Sequence, residues 1–237
     1  MKLFPAIDLF GGQAVRLLKG DYQQMTVYNA DPAQVALDFQ QCGAEQMHLV
    51  DLEGARSGKP ENLDSIRSIR EATDLFMEVG GGIRSMETVE RYFAAGVNRV
   101  ILGTAAVTDA SFLKEALRRY GDRIAVGVDI KDGYVAIRGW TEQSALRAED
   151  FFGRMEAQGV RVIICTDISR DGAMRGVNRA LYRKLTETYR IDLIASGGVS
   201  SLEDISVLRE YGLHGAIIGK AYYIGAIDLK KAIEVAR

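Results

Sequence analysis

The 237-residue sequence holds three prolines, two cysteines, two histidines and one tryptophan, and it has no marked excess of either charge. Cys42 and Cys165 each sit in an apolar pattern without CxxC or Cys/His spacing, so both read as buried, reduced thiols rather than a disulfide or a metal site. Two histidines, His48 and His214, cannot build a His-rich metal centre. Three prolines and no Ser/Gly-rich linker leave no place for a domain boundary. Basic residues number 30 and acidic ones 32, a formal net charge of −2, with no basic block. No nucleic-acid surface is expected, and any positive potential must be local to a site. No apolar run approaches bilayer length, and Met1-Lys2-Leu3-Phe4-Pro5 enters a strand pattern without the regions of a secretory signal. These absences describe a soluble cytoplasmic protein with no membrane contact.

Hydrophobic residues make up 47% and charged ones 26%, enough for a sizeable core. Short runs rich in Val, Ile and Leu alternate with longer amphipathic stretches, as repeated βα units do. Strands are expected at 3–8, 46–51, 75–79, 99–102, 124–129, 162–167, 193–195 and 216–218. Helical patterns lie between them at 32–41, 62–72, 86–95, 111–120, 148–158, 179–189, 202–211 and 229–236. Gly43, Gly96, Gly159 and Gly212 follow helices in the C′ position, where a positive φ suits glycine.

The chain also repeats itself. Phe4-Pro5-Ala6-Ile7-Asp8 answers to Ala125-Val126-Gly127-Val128-Asp129 at an offset of 121, and Gly81-Gly82-Ile83-Arg84-Ser85 to Gly197-Gly198-Val199-Ser200-Ser201 at 116. Gly103-Thr104 and Gly219-Lys220, Asp51 and Asp167, and Gly96 and Gly212 also lie 116 apart. Such a register marks a duplication. Eight continuously apolar parallel strands bury both faces best by closing into a barrel, and a duplicated four-unit half closes on its copy with pseudo-twofold symmetry. A doubly wound open sheet is the rival fold and gains nothing from that duplication. The expectation is therefore an α/β protein, a single (β/α)8 TIM barrel over 1–237, with half-barrels of approximately 1–121 and 122–237. A barrel of this kind takes roughly 250 residues and keeps its chemistry at the C-terminal ends of its strands.

Asp8 and Asp129 each end an apolar strand in symmetry-equivalent positions and are expected to point into the barrel mouth. Two close, buried carboxyls have their proton affinities driven apart, so one serves as acid and the other as base; the plainer alternative is that each caps its loop. Gly81 and Gly82 with Gly103 and Thr104, and Gly197 and Gly198 with Gly219 and Lys220, follow strands three, four, seven and eight. Glycines there let backbone N–H groups approach phosphate at a helix start, so two anion cradles at opposite rims are expected, with Gly172 and Arg84 beside them. Arg16 offers a fork for a phosphate or carboxylate, or else a solvated edge charge. Trp140, in Arg138-Gly139-Trp140 after strand five, is placed to stack on a planar ring. Thr166, Asp167 and Asp171 offer hydrogen bonds to ribose hydroxyls, and His48, inside strand two, reads as a satisfied structural histidine.

Together these segments, with Val15-Arg16-Leu17, His48-Leu49-Val50-Asp51-Leu52, Thr166-Asp167-Ile168-Ser169-Arg170-Asp171-Gly172 and Gly139-Trp140, resemble the phosphoribosylformimino-aminoimidazole carboxamide ribotide isomerase family of histidine biosynthesis over essentially the whole chain. The resemblance implies an Amadori rearrangement of a bisphosphorylated ribotide, with Asp129 as general acid, Asp8 as general base and no cofactor or metal. It also implies that Thr166 and Asp171 orient ribose groups and that Arg16 and Trp140 hold the aminoimidazole end. The partner is then the small-molecule substrate alone, acting on a monomer. A sibling cyclase family is set aside because it is expected to carry a cysteine near the first aspartate, a lysine in place of Arg16 and no Gly-Trp. Dual-substrate relatives that also isomerise phosphoribosylanthranilate typically have serine where this chain has Gly80. A barrel that only binds phosphosugars would have no use for two desolvated acids.

Overall fold

In the computed structural model, which describes residues 1–18, 20–140 and 142–237, the strands close on themselves. The elements run β1 (Lys2–Phe10), β2 (Gln13–Leu18), β3 (Asp21–Asn29), α1 (Pro32–Gln41), β4 (Gln46–Asp51), α2 (Leu52–Ser57), α3 (Leu63–Ala72), β5 (Phe76–Gly80), α4 (Met86–Ala94), β6 (Arg99–Leu102), α5 (Thr104–Thr108) and α6 (Ala110–Tyr120). They continue as β7 (Ile124–Lys131), β8 (Tyr134–Ile137), β9 (Glu142–Arg147), α7 (Ala148–Ala157), β10 (Val162–Asp167), α8 (Arg179–Thr188), β11 (Asp192–Ser196), α9 (Leu202–Glu210), β12 (Gly215–Ile218), α10 (Lys220–Tyr223) and α11 (Leu229–Ala236). Among the described residues, β1, β4, β5, β6, β7, β10, β11 and β12 pair in parallel, each with the next, and β12 pairs back onto β1. This is a closed eight-stranded (β/α)8 barrel, and among the described residues no helix is long and apolar enough to cross a membrane.

Alternation along each strand builds two cores. Ile7, Leu9, Met47 and Leu49 point outward and pack with Val35, Phe39, Ile66 and Ile69 of the helical layer. Phe4, Ala6, Ile101, Ala125, Ile164, Ile194 and Ile217 point inward and fill the barrel. The helices carry their own boundaries. Asp31 caps α1 by accepting from Ala33 N and Gln34 N, with Pro32 in the first turn. Ser85 and Ser201 cap α4 and α9 in the same way, 116 residues apart. Gly43, Gly96, Gly159 and Gly212 all have φ between 77° and 93°, as helix-ending glycines should.

The duplication extends to element boundaries: α3 and α8, and α4 and α9, are offset by 116 at both ends. It also embraces four strands that hydrophobic periodicity does not reveal. A hairpin, β2 with β3, rises from β1, and a second, β8 with β9, rises from β7. The outer strands β3 and β9 are largely solvated, and β2 and β8 bury only adjacent pairs, Ala14-Val15 and Val135-Ala136, so no apolar alternation marks them; polar runs such as Asp21-Tyr22-Gln23-Gln24 read as loop. The first hairpin is longer, which is why the offset falls from 121 at the aspartates to 116 after it. The same hairpins carry the aspartate strands past Asp8 and Asp129, to Phe10 and Lys131.

Candidate active site

At the C-terminal mouth of the barrel lies a cavity of about 350 Å³. Asp8 and Asp129 both line it, from strands on opposite sides of the ring, and so do Arg16, Arg84, Thr104, Trp140, Thr166, Asp171, Gly172 and Lys220. The two cradles line it as well: Gly81, Gly82 and Gly103 on one rim, Gly197, Gly198 and Gly219 on the other.

Inward-pointing positions explain which carboxylates arrive. On β10, Thr166 faces the cavity, so Asp167 faces the helices. There Asp167 accepts from Ser169 N, Ser169 Oγ and Asn178 Nδ2, and it is unavailable to a ribose. Asp51 is its counterpart and accepts from Gly54 N, Glu61 N, Asn62 N, Asn62 Nδ2 and Tyr92 Oη. Both aspartates, each with an asparagine 11 residues on, fold their loops rather than serve the mouth. Of the two carboxylates in the Thr166–Gly172 segment, only Asp171 reaches the cavity.

The double glycines are there for a reason other than anion access. Gly81 and Gly82 have φ of 129° and 66°, and a Cβ would lie 2.3 Å from the Asp51 carbonyl oxygen and 1.8 Å from that of Gly54. Gly197 and Gly198 meet the carbonyls of Asp167 and Gly176 at 2.6 and 2.5 Å. Each cradle is thus locked against the preceding βα loop, with the crossing backbone in the space a side chain would take. Gly82→Ala is expected to lower stability by about 2–5 kcal/mol, combining left-handed strain with overpacking; equilibrium denaturation checks this, and a loss under 1 kcal/mol would mean the crossing loop can move aside. Gly103 and Gly219, which open α5 and α10, share one backbone geometry, φ −92°, ψ −108° and φ −103°, ψ −110°.

The two acids sit in different electrostatic surroundings. Arg16 comes back along β2 and places Nη1 2.8 Å from Asp8 Oδ2. Its charged plane lies over the Tyr223 ring at 5.5 Å, and its Nη2 occupies the space beside Gly219. Tyr223 is itself held by a 2.9 Å hydrogen bond from Oη to the Ala6 carbonyl. Burial works against the Arg16 guanidinium, and Asp8, with Tyr223 and Asp171, more than offsets it, so the charged form is strongly favoured. Asp129 has no such ion pair among the described residues. Burial pushes its carboxyl above the ordinary carboxylate value, and hydrogen bonds from Trp140 and Thr166 and the charge of His48 draw it only partly back. Asp171 is likewise raised by burial, against the pull of Arg16. Lys220 Nζ donates to the Gly172 carbonyl at 3.0 Å, joining the rim glycine to the second cradle.

Trp140 arrives on a loop in which Arg138, Gly139 and Trp140 have successive φ values of 54°, 63° and 71°. Left-handed backbone at two non-glycine residues is strained by roughly 1–2 kcal/mol each and belongs where geometry matters more than stability. The loop is held on one side by Arg138 N donating to Thr104 Oγ1, and the indole packs against Gly20 of the first hairpin. Arg84 Nη2 bonds the Ala55 carbonyl at 3.2 Å, at the edge of the first cradle. Residues that sequence reasoning passed over also line the cavity, Ser196 and Arg138 among them, and so does His48, whose strand position alone suggested a structural role.

A closed (β/α)8 barrel with paired acids and paired glycine cradles at its C-terminal mouth defines the class of α/β-barrel enzymes that work on phosphorylated small molecules. Residues 2–228 match the family described as histidine biosynthesis protein. The chain belongs to that family. Among its relatives are proteins of Picosynechococcus sp., 49% identical over 99% of this chain and 93% of theirs, Ruminiclostridium cellulolyticum, 46% identical over 98% and 99%, and Listeria monocytogenes, 48% identical over 99% and 98%. All three are named 1-(5-phosphoribosyl)-5-((5-phosphoribosylamino)methylideneamino)imidazole-4-carboxamide isomerase.

Proposed function

We propose that the protein is the aldose–ketose isomerase of histidine biosynthesis that converts the bis-phosphoribosyl imidazole carboxamide named in its relatives to the phosphoribulosyl form. The observation that carries this reading is the placement of Asp8 and Asp129 on opposite sides of one cavity whose rims are two cradles of matching backbone geometry. A substrate with a phosphate at each end is held by its ends, and the sugar between them meets both carboxyls. We read the chain as one domain of two half-barrels, acting as a cytoplasmic monomer, with the ribotide as its partner.

In this reading Asp129, which keeps its proton more readily than an ordinary carboxyl, is the general acid. It protonates the ring oxygen as the C1–O bond of the furanose breaks and the nitrogen lone pair forms a protonated imine. Asp8, whose carboxylate is paired with Arg16, is the general base that removes the proton from C2. The electron pair left at C2 forms the C1=C2 bond and neutralises the imine nitrogen, so the imine is the electron sink and no cofactor is called for. Thr166 and Asp171 orient ribose groups, and Arg16 and Trp140 grip the aminoimidazole end. Gly81, Gly82, Arg84, Gly103 and Thr104 serve one phosphate; Gly172, Gly197, Gly198, Gly219 and Lys220 serve the other.

Purified protein incubated with the ribotide tests this directly. Turnover without ammonia or a second polypeptide supports the isomerase; a requirement for either would point to the sibling cyclase, and binding without turnover to a carrier. The pH profile adds a signed expectation. A protonated Asp129 is required, so kcat falls on the alkaline side as pH rises through its raised value. The Thr166 hydrogen bond lowers that value, so Thr166→Val moves the alkaline limb to higher pH; a limb that stays put or moves down removes the acid role from Asp129.

A further inference from the structure

Below the mouth, the barrel interior departs from its twofold pattern in a column of three charged or titratable side chains. Inward from the mouth of the first half stand His48 on β4, Glu78 on β5 and Arg99 on β6; the residues 116 positions on are Ile164, Ile194 and Gly215, all apolar. The acids, the cradles, the hairpins and every helix but α2 recur in the second half, so a polar column confined to one half calls for a reason that the duplicated machinery does not supply.

Its geometry gives one. Arg99 donates through Nε and Nη2 to Glu78 Oε2 at 2.9 and 2.5 Å, and His48 Nδ1 lies 2.8 Å from Glu78 Oε1. Glu78 is fully buried; burial pushes its carboxyl up, but the hydrogen bond and charge of His48, with those of Arg99, bring it below the usual value. An ionised Glu78 accepts, so Nδ1 carries the proton and the ring is fixed in orientation. The remaining nitrogen, Nε2, has no protein partner among the described residues, and His48 lines the cavity. Between its strand and that of Asp129, the inward positions Gly80, Gly103 and Gly127 carry no side chain, with Ile101 packed beside Gly80 and Gly127, and a proton taken up by His48 would act on Asp129 through its charge.

Building on the isomerase reading, we propose that His48 is a third catalytic group, which takes the proton of the substrate's C2 hydroxyl through Nε2 and returns it to Asp129. The proton balance calls for such a group. Ring opening leaves Asp129 without its proton, and removal of the C2 proton leaves Asp8 with one. In the last step the O2–H bond breaks and C2=O forms, while the C1=C2 electron pair takes a proton at C1 from Asp8. Asp8 is then restored, and the O2 proton has to travel to Asp129, on the far side of the sugar. His48, with Nδ1 held against Glu78, accepts it at Nε2 and passes it on, so both acids end as they began and nothing is exchanged with solvent.

Two near-isosteric substitutions test this on the whole protein. His48→Asn keeps an amide where Nδ1 stood and can still bond Glu78, but it presents nothing at the Nε2 position; His48→Gln places an amide near Nε2. With the ribotide as substrate, His48→Asn is expected to lose roughly 10²-fold or more in kcat with KM and melting temperature near wild type, the scale of a lost acid–base group. His48→Gln, which can still hydrogen-bond O2, is expected to recover part of that loss. If His48 serves only the fold, the order reverses, with His48→Asn as active as wild type or both losses following melting temperature. Equal kcat in all three proteins also overturns the proposal and leaves the isomerase reading intact, whereas an inactive wild type would remove that reading itself.

Discussion

Asp8→Asn is expected to bind the bisphosphorylated ribotide with nearly unchanged affinity and to turn it over roughly 10³- to 10⁴-fold more slowly. The substitution conserves shape, and an amide oxygen can still accept from Arg16 Nη1, which lies 2.8 Å from Asp8 Oδ2 in the native protein. The cradles proposed for the phosphates are backbone, built from Gly81, Gly82, Gly197 and Gly198 and the loops that cross them. Substrate anchoring is therefore expected to survive while the group proposed to accept the C2 proton is gone. Asp129→Asn should behave alike for the opposite reason, because an amide has no proton to give to the ring oxygen. The two losses are expected to be strongly non-additive, as for residues that act as a unit. Equilibrium binding beside steady-state kinetics decides the matter. A large rise in dissociation constant with a modest fall in kcat would make Asp8 a binding residue and leave the base unassigned.

The second large effect concerns the floor of the barrel. Arg99→Met is expected to destabilise the protein by about 3–5 kcal/mol, the usual consequence of removing one partner of a buried ion pair. Glu78, with no exposed surface, would keep only His48, and the face of Arg99 that packs over Phe4 and Phe76 would be lost too. Adding Glu78→Leu should restore much of the loss, since an apolar pair does not strand a charge. The pH dependence has a defined sign. Glu78 titrates below its unfolded value in the native protein, so its stabilising contribution is present above the unfolded carboxylate value and is lost as pH falls through the folded one. Chemical denaturation at several pH values would show this acid-side loss in wild type and not in the double variant. If Arg99→Met alone costs under 1 kcal/mol, water or rearrangement is neutralising Glu78, and the column is looser than its distances indicate.

Asp129 and Asp8 could be paired from the sequence because two strands end on them in equivalent positions, and the cradles could be paired because Gly-Gly recurs at a constant interval. The hairpins could not be anticipated, since their outer strands are solvated and their inner strands bury adjacent rather than alternate residues, so neither carries a period of two. Nor could the reason for the double glycines. A turn and an anion cradle write the same residues, and only coordinates show that the carbonyls of Asp51, Gly54, Asp167 and Gly176 fill the space a Cβ would need. Asp167 illustrates the converse error. It sits next to Thr166 in a polar run, yet strand alternation turns it away from the cavity.

The sequence by itself determined the class of fold, the number of βα units, the doubling and the equivalent positions of Asp8 and Asp129, because all of these are periodicities, and periodicity is local information that survives in one dimension. Only the tertiary structure decided which of two equivalent aspartates receives an arginine and which is left among neutral donors, because Arg16, Trp140 and His48 reach the mouth from hairpin, loop and barrel interior at unrelated sequence separations. Symmetry can be inherited along a chain; its breaking happens in space, where a barrel brings unlike side chains from its two halves against one substrate.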